Sequence, residues 1–522
     1  KGVATALETL SAFFDNMSDG NAVALARRLT ALGDPVKGAK MLRVANDKGV
    51  KKAVGMVTEY WMNSILSGIP TFARNMVGNT VQFGALMPLH NMVQGWGGFK
   101  GGLFSIHDRE LWDRGVYLWW GAAQSFRESW SAAMKSLKLG ASLLKADGAG
   151  WVPSHVRRIS AEYSGVASDS LIGKTIDAFG KAVNLPSRYL MASDEFASQL
   201  AYRAHVRTYL MTQANEIYAK ALPNSIKKTR REFVTDFIAD KLPSFFQDGA
   251  GGVRGNFKPA LETAMEATFT KPLASGSIGA SLQQLSNRHA LVKHVMPFVR
   301  TPANILDEAL IHIPGLNLLS REFHQARALG GEAWERAKAK MTVGTALTAV
   351  VMNYCVSGDV TGGGPKDRAT KELLMENGWR PYSIKVGDTW YSYAHMEPVA
   401  SLIGTLADMS ELYSASVAED TFEGGASDYA RAALDASIFA AAKNLASKSY
   451  VSGLNEAIEA ISSGKPGKLL TQYATSYIPN LFGNVAKMTD PTVREVRGIL
   501  DMAASKIPGY SSTLPVKYSW LT

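Results

Sequence analysis

The sequence predicts a mainly α-helical protein, elongated or bundled, with one small β-hairpin at about residues 382–393. Three observations predict it. Apolar residues recur at helical spacing through most of the chain, as in Val399, Leu402, Ile403, Leu406 and Met409. Strand-like alternation is concentrated where Tyr382-Ser-Ile-Lys-Val386 and Thr389-Trp-Tyr-Ser-Tyr393 flank Gly387-Asp388, the signature of a two-residue hairpin turn. Finally, 522 residues that are 46% hydrophobic and 20% charged can bury a large core or several subdomains, which excludes a disordered chain.

Taken in order, residues 1–65 read as N-terminal helical hairpins, with helices over 4–14, 21–32 and 37–46 broken by Asp-Gly and Gly-Asp-Pro turns. Residues 66–250 form a helical, tryptophan-rich region. Within it, 75–99 holds no Lys, Arg, Asp or Glu, but Pro88, several glycines and many amides make it too polar for an ordinary spanning helix, so an interfacial or buried helix pair is expected. Seven of the eleven tryptophans lie between Trp61 and Trp151. Tryptophan suits places where an apolar body meets a wet edge, which makes Trp112, Trp119 and Trp120 candidates for a membrane or subunit interface, with ordinary helix-packing anchors as the alternative. A long helix is expected over 171–221, with Tyr189, Phe196, Leu200 and Tyr202 in its apolar stripe. Its adjacent carboxylates Asp194 and Glu195 point about 100° apart, poor geometry for an acid and base pair, so surface salt bridges to Arg188 or Arg203 are expected. Asn224-Ser225 precedes a helix over 226–242 whose first turns are crowded by Lys227, Lys228, Arg230 and Arg231. Positive charge there opposes the helix dipole and points to an anionic partner, either DNA phosphates or the carboxylates of a neighbouring subunit.

Residues 251–357 form a further helical region, set off by the glycines of 249–252 and 275–279. A helix over 303–311 follows Pro297-Phe-Val-Arg-Thr-Pro302. A charged helix over 332–340 runs into the uncharged apolar segment 341–356, sixteen residues long, short of the roughly 20 that span a bilayer. A buried core helix is expected, with membrane insertion as the alternative; Val343, Leu347, Val350 and Val351 are its membrane or subunit-interface candidates. Arg336, Lys338 and Lys340 at one end would suit lipid headgroups or solvent. Residues 358–409 combine a Gly-rich loop, the hairpin and a helix. Val386 opposite Thr389 places Tyr382, Ile384, Val386, Tyr391 and Tyr393 on one face, expected to be a buried plate, and Glu397-Pro398 is expected to open the helix. Residues 410–522 continue as short C-terminal helices, including an alanine-rich one over 432–446.

Reactive constellations are sparse. One cysteine, Cys355, excludes a disulfide framework, and the nine histidines form no His-Glu-x-x-His motif; His289 and His294, five apart, fit one helical face poorly. Thr361-Gly-Gly-Gly-Pro-Lys366 lacks the Gly-Lys-Ser/Thr ending of a phosphate loop, so it reads as a loop that docks the hairpin. No catalytic, cofactor-binding or metal-binding residue is assigned, no cofactor or small-molecule substrate is expected, and the chain is not expected to be an enzyme. A formal charge of +10 suits phosphates or anionic lipid, or simply a solvated basic surface.

Several stretches carry a resemblance: Gly358-Asp-Val-Thr-Gly-Gly-Gly-Pro-Lys-Asp367; Gly378-Trp-Arg-Pro-Tyr-Ser-Ile384; Trp390-Tyr-Ser-Tyr393; Glu397-Pro398. Ser67-Gly-Ile-Pro-Thr-Phe-Ala-Arg-Asn75 with Gly78-Asn79, Ala192-Ser-Asp-Glu-Phe196 and Pro297-Phe-Val-Arg-Thr-Pro-Ala-Asn-Ile305 accompany them in matching order. Together they resemble the internal virion, or DNA-ejection, proteins of tailed bacteriophages, the short-tailed ones in particular. The resemblance implies a structural protein, part of a longer polypeptide, that resides in the virion interior and passes into the host cell envelope, periplasm or inner membrane. There it would oligomerise into a conduit for the genome. The implied partners are further copies of itself, other ejection or portal and tail proteins, double-stranded DNA and, as one alternative, the host inner membrane. Two other readings stay open: a non-catalytic helical portion of a large phage enzyme that cleaves peptidoglycan or acts on nucleic acid, and a core or scaffold protein that stays in the virion.

Overall fold

The computed structural model describes residues 48–144 other than 101–102 and 107, 158–221, 227–247, 253–273, 279–284 other than 282, 298–418 other than 366 and 395, and 476–517. The helices expected over 4–46 and 432–446, the turns at 249–252 and 275–278, and His289 and His294 lie outside them. The fold is mainly α-helical.

Helix α1 (Lys48–Leu66) leads into α2 (Ile69–Val81), which passes through a π-helical turn (Gln82–Leu86) into α3 (Met87–Gln94). As far as Gln94 the uncharged stretch is therefore one continuous helical run with an inserted residue, in place of the expected helix pair. Pro88 explains the irregularity, because it has no N–H to give the Gly84 carbonyl; that carbonyl accepts the Trp119 indole N–H at 2.7 Å. A second hairpin follows that the sequence reading missed, β1 (Trp96–Lys100) paired antiparallel with β2 (Leu103–Ile106). Its glycines interrupt any strand-like alternation, and a register shift lies between Trp96 and Phe99.

Helix α4 (Arg109–Leu139) is capped by Asp108, whose side chain accepts from the Leu111 amide, and stops at Gly140 in the left-handed conformation. Its inner face is built from small residues, Gly115, Gly121, Ser125, Ser129, Ala132, Ala133 and Ser136. That face lies on α7 (Leu185–Lys220). Contacts from Tyr117 to Asn215, Glu128 to Arg203 and Trp130 to Phe196 show that the two run antiparallel. A Cβ on Gly121 would lie 2.8 Å from the Ala204 carbonyl oxygen, so only glycine permits this approach.

The long helix expected over 171–221 is two helices, α6 (Leu171–Val183) and α7, parted at Asn184 just before Pro186; short α5 (Ala161–Ser164) precedes them. Nor does α7 bury a single stripe. Ala201, Tyr202, Arg203 and Ala204 are consecutive and all buried, because α7 is enclosed by α4, α8 (Arg230–Lys241) and α9 (Lys258–Ala267), whereas Tyr189 near its start is exposed. Tyr202 donates to the Phe245 carbonyl and accepts from the Asn256 and Phe257 amides, tying the approach to α9 against the core.

The second half stacks α10 (Arg300–His312), α11 (Arg321–Leu329) and α12 (Gly331–Val356). Phe323 and Ala326 of α11 meet Ile311 and Ala337, while Ile313, Leu316 and Val351 meet Leu402 and Leu406 of α14 (Val399–Ala418). A Cβ on Gly344 of α12 would stand 1.8 Å from the His312 carbonyl oxygen, so α10 and α12 touch backbone to backbone.

After α13 (Arg368–Glu376), strands β3 (Ser383–Val386) and β4 (Thr389–Ser392) pair in the expected register, Val386 opposite Thr389 and Ile384 opposite Tyr391. The buried plate is confined to the base of the hairpin. Tyr393 is 2% exposed, but Val386 is 62% and Tyr391 59% exposed, since only the base meets α14 while the tip projects. The Gly-rich loop does dock the hairpin: the Thr361 amide donates to the Ser383 carbonyl, and the Tyr393 hydroxyl to the Thr361 carbonyl. Successive amides of Gly362, Gly363 and Gly364 donate to Glu411, Asp408 and Glu411 of α14. The loop thus forms an anion nest occupied by the protein's own carboxylates. Pro398 precedes α14, and the Glu397 carboxylate accepts from the Ser401 amide and hydroxyl, as a charge favouring a helix start should. Finally α15 (Asn480–Thr489) and α16 (Ile499–Ala504) bring the chain's last part back to α1, with Trp61 donating to Ser476 and Asn480 to the Ile65 carbonyl.

Candidate functional site

The most concentrated chemistry is a buried polar centre among α3, α9, α10, α11 and α12. Lys340, fully buried, places its ammonium 2.8 Å from Glu266, 2.8 Å from Glu308 and 2.9 Å from Glu322. Lys271 reaches Glu266 at 3.0 Å and Glu322 at 3.6 Å, and Arg336 stands 3.9 Å from Glu266. Three carboxylates thus face three cations. Burial opposes each charge, but Lys271, Lys340 and Arg336 outweigh it at Glu266, whose carboxyl is held well below the usual range. Lys340 is likewise held protonated against its desolvation by Glu266, Glu308 and Glu322. This corrects the expectation for Lys340, which meets neither lipid nor water. Lys338 is exposed, and its ammonium pairs with Glu335 at 2.8 Å.

Behind this centre, His90 of α3 and His312 of α10 approach Nε2 to Nε2 at 2.9 Å, and the His312 Nδ1 lies 2.6 Å from the Glu308 carbonyl. Burial pushes both imidazoles down, so both are neutral at pH 7. Gln82 from the π-helical turn donates to Glu308 at 3.2 Å. One sequence signal could have found half of this: Glu308 and His312 are four apart on one helix and share a face. Lys340 was hidden because its carboxylates come from three other helices.

In front lies a cavity of about 1560 Å³ lined by, among others, His205, Tyr209, Phe257, Glu266, Asp307 and Arg336. His205 is held down to about 4, first by burial and then by Arg336 and Arg114, and its Nδ1 is 2.9 Å from the Thr263 hydroxyl. Because the unfolded chain then binds the proton more tightly, His205 contributes stability that is complete above pH 6.5 and lost progressively as pH falls toward about 4. That interval corresponds to about 3 kcal/mol. Chemical denaturation of wild type and His205→Gln across this range should show a shallower pH slope in the variant; identical slopes would refute the assignment.

The other candidates fall elsewhere. The helix expected after Asn224-Ser225 starts at Arg230, with Thr229 as its cap, so Lys227 and Lys228 precede it. Glu232 completes a capping box and Lys228 pairs with Asp236, so the unfavourable charge at this helix start is offset within the helix itself. All four basic residues, Lys227, Lys228, Arg230 and Arg231, are exposed, and Arg230 also donates to Asn215. Val343 and Val351 are buried within the chain itself, Val351 against Ile313, Leu402 and Leu406, so neither is open to a membrane or a second subunit. Leu347 is half-buried and Val350 is 56% exposed. No helix among the described residues is long and apolar enough to cross a membrane. Asp194 and Glu195 diverge as expected, but not to the expected partners: Asp194 accepts from Asn75 and Asn79, Glu195 from Ser142 and the Leu143 and Leu144 amides, and Arg203 pairs with Glu128.

Trp112 is half-buried, whereas Trp119 and Trp120 are exposed. Trp119 belongs to a longer feature. Val116, Trp119, Phe126 and Trp130 are 43–56% exposed along the outer face of α4, with exposed Ala123 between them. The spacing of 116, 119, 123, 126 and 130 alternates three and four, the repeat of a helix seam that meets another helix. Phe196 of α7 covers one flank, 5.3 Å from Phe126 and 6.0 Å from Trp130 between ring centres. No family model, curated protein or solved structure matches this chain.

Proposed function

We propose that this chain is a structural internal virion (ejection) protein of the tailed-phage type, which self-associates and is delivered into the host envelope to form part of a conduit for the genome. The observation that carries the reading is the aromatic seam on α4: large apolar side chains at coiled-coil spacing stand in solvent on a helix whose inner face is already fully used. Two further points support it. Three of the stretches that carry the phage resemblance meet in space, since Asn75 and Asn79 hydrogen-bond Asp194, and a Cβ on Gly78 would lie 2.8 Å from the Glu397 carbonyl. Lys227 and Arg231 project into solvent on a chain of net charge +10, suited to sliding contact with phosphates. Identical copies, other ejection or portal and tail proteins, and double-stranded DNA are the partners of this reading.

The reading is tested by sedimentation of the purified chain alone, with DNA and with anionic vesicles. Wild type is expected to form a defined oligomer in at least one of these conditions, and Phe126→Glu with Trp130→Glu to abolish it without loss of helicity. A wild-type chain that stays monomeric throughout would overturn the proposal.

The enzyme alternative draws on the cavity, where burial and the nearby Glu322 push the Asp307 carboxyl up, as a general acid would need. Against it, Glu266 and Glu308 are held ionised by lysine, which suits cohesion more than proton transfer.

A further inference from the structure

We propose that His90, His312 and Glu308, with Gln82 as a fourth donor, form a closed structural site for one divalent transition-metal ion of the zinc class. The ligand atoms of His90, Glu308 and His312 already lie within 4.8 Å of one another, and all three residues are buried. A backbone carbonyl only accepts, so the 2.6 Å contact from His312 Nδ1 to the Glu308 carbonyl places the His312 proton on Nδ1 and leaves Nε2 as a lone pair. Metal-binding imidazoles are typically oriented in this manner, by a hydrogen bond from the other ring nitrogen. Without metal, the His90 Nε2 must then carry the hydrogen between the two rings at 2.9 Å. Tetrahedral coordination at ordinary metal–nitrogen distances sets two such nitrogens about 3.3 Å apart, so the rings need to part by only a few tenths of an ångström.

A second, independent observation comes from Gln82. Its side chain is fully buried and its Oε1 has no hydrogen-bond partner, although its Nε2 bonds Glu308. A buried carbonyl oxygen left unpaired costs free energy unless something positive meets it. A cation bound by Glu308 would stand within reach after a turn of the carboxamide. Glu308 can serve the ion and the lysine together, with Oε1 toward Gln82 and Oε2 holding Lys340 at 2.8 Å. Because Lys340 is so close, the site should favour ions that bind imidazole strongly, such as Zn²⁺, Co²⁺ or Ni²⁺, over Mg²⁺ and Ca²⁺, which depend on carboxylate charge. Binding moves the His90 proton from Nε2 to Nδ1 and releases none. Four protein donors leave no open position, which assigns the ion to clamping α3 and its π-helical turn to α10.

The test is titration of the chelator-treated full chain with Co²⁺, read by visible absorption, thermal unfolding and X-ray absorption. One ion per chain is expected, with an intense tetrahedral spectrum, two imidazole ligands and a raised Tm, displaced by Zn²⁺ but not by Mg²⁺. His90→Gln and His312→Gln should each lose the tetrahedral spectrum. No stoichiometric Co²⁺ binding by wild type, fewer than two imidazoles in the X-ray absorption, or an unchanged spectrum in the double variant would overturn the proposal. The first two readouts use wild type alone, so they decide the matter even if a variant fails to fold.

Discussion

Replacing Lys340 by methionine is expected to lower the free energy of unfolding by about 3–5 kcal/mol, the loss typical of breaking a buried ion pair from one side. The side chain volume is nearly kept, so the effect is electrostatic. Glu266 and Glu308, 5% exposed each, would keep their desolvation cost but lose the cation 2.8 Å from each. Lys271 and Arg336 would still face Glu266, which places the main damage at Glu308. The sign of the pH dependence follows. In wild type, the depressed carboxyls of Glu266 and Glu308 contribute stability above the ordinary carboxylate range that is lost as pH falls through their folded values. In the variant that advantage shrinks or reverses, so the difference between the two proteins should be largest at neutral pH and narrow in acid. Lys338→Met is the control: that residue is exposed and pairs with exposed Glu335, and its loss should cost under about 1 kcal/mol. Urea unfolding of the three proteins at neutral and acidic pH checks all of this; equal losses for Lys340 and Lys338 would refute the account.

Gly344→Ala carries the other large expected effect, and it tests geometry alone. Alanine is the better helix former by about 1 kcal/mol, so an unconstrained site would be stabilised. Here the added methyl would meet the His312 carbonyl oxygen at 1.8 Å, its carbon at 2.4 Å and the His312 Cα at 2.5 Å. These are backbone atoms of another helix, so no side chain can swing aside, and α10 must separate from α12. That separation loosens Ile313 and Val351 in one core cluster and Ile311 and Ala337 in another. A net loss of about 2–4 kcal/mol is expected after the gain in helix propensity. Gly358→Ala, where φ is 82° and nothing lies within 4 Å, should cost only about 1–2 kcal/mol of backbone strain. A Gly344→Ala protein as stable as wild type would mean the two helices do not touch in this way.

The mainly helical class and the register of the hairpin at 383–392 were legible because each depends on short-range pattern: helical periodicity, and a Gly387-Asp388 turn that fixes which residues face each other. The exposure of Val386 and Tyr391 was not, since alternation says which side chains share a face but not whether another element covers it. The cap of α8 was misplaced because Asn224-Ser225 and Thr229 are both competent caps, and only Glu232 three residues after Thr229 decides between them. Trp119 was visible as a candidate, but the seam it joins was not, because it needs knowledge of which face of α4 is already occupied by α7. The polar centre was least legible. Its members come from residues 82 to 340, and nothing local to Lys340 announces three carboxylates on other helices.

The seam on α4 also constrains the shape of any assembly that uses it. A side-chain pattern repeating every seven residues falls short of two full helical turns, so it drifts by about 20° per repeat around a straight helix. From Val116 to Trp130 the line of contact therefore winds by about 40°. Neighbouring α4 helices that keep this line in register must lean across one another with a left-handed twist of about 20°, as staves do in a skewed barrel. A closed ring of such copies would narrow at its waist and flare at its rims, and its bore would be set by the lean of the staves as much as by their number.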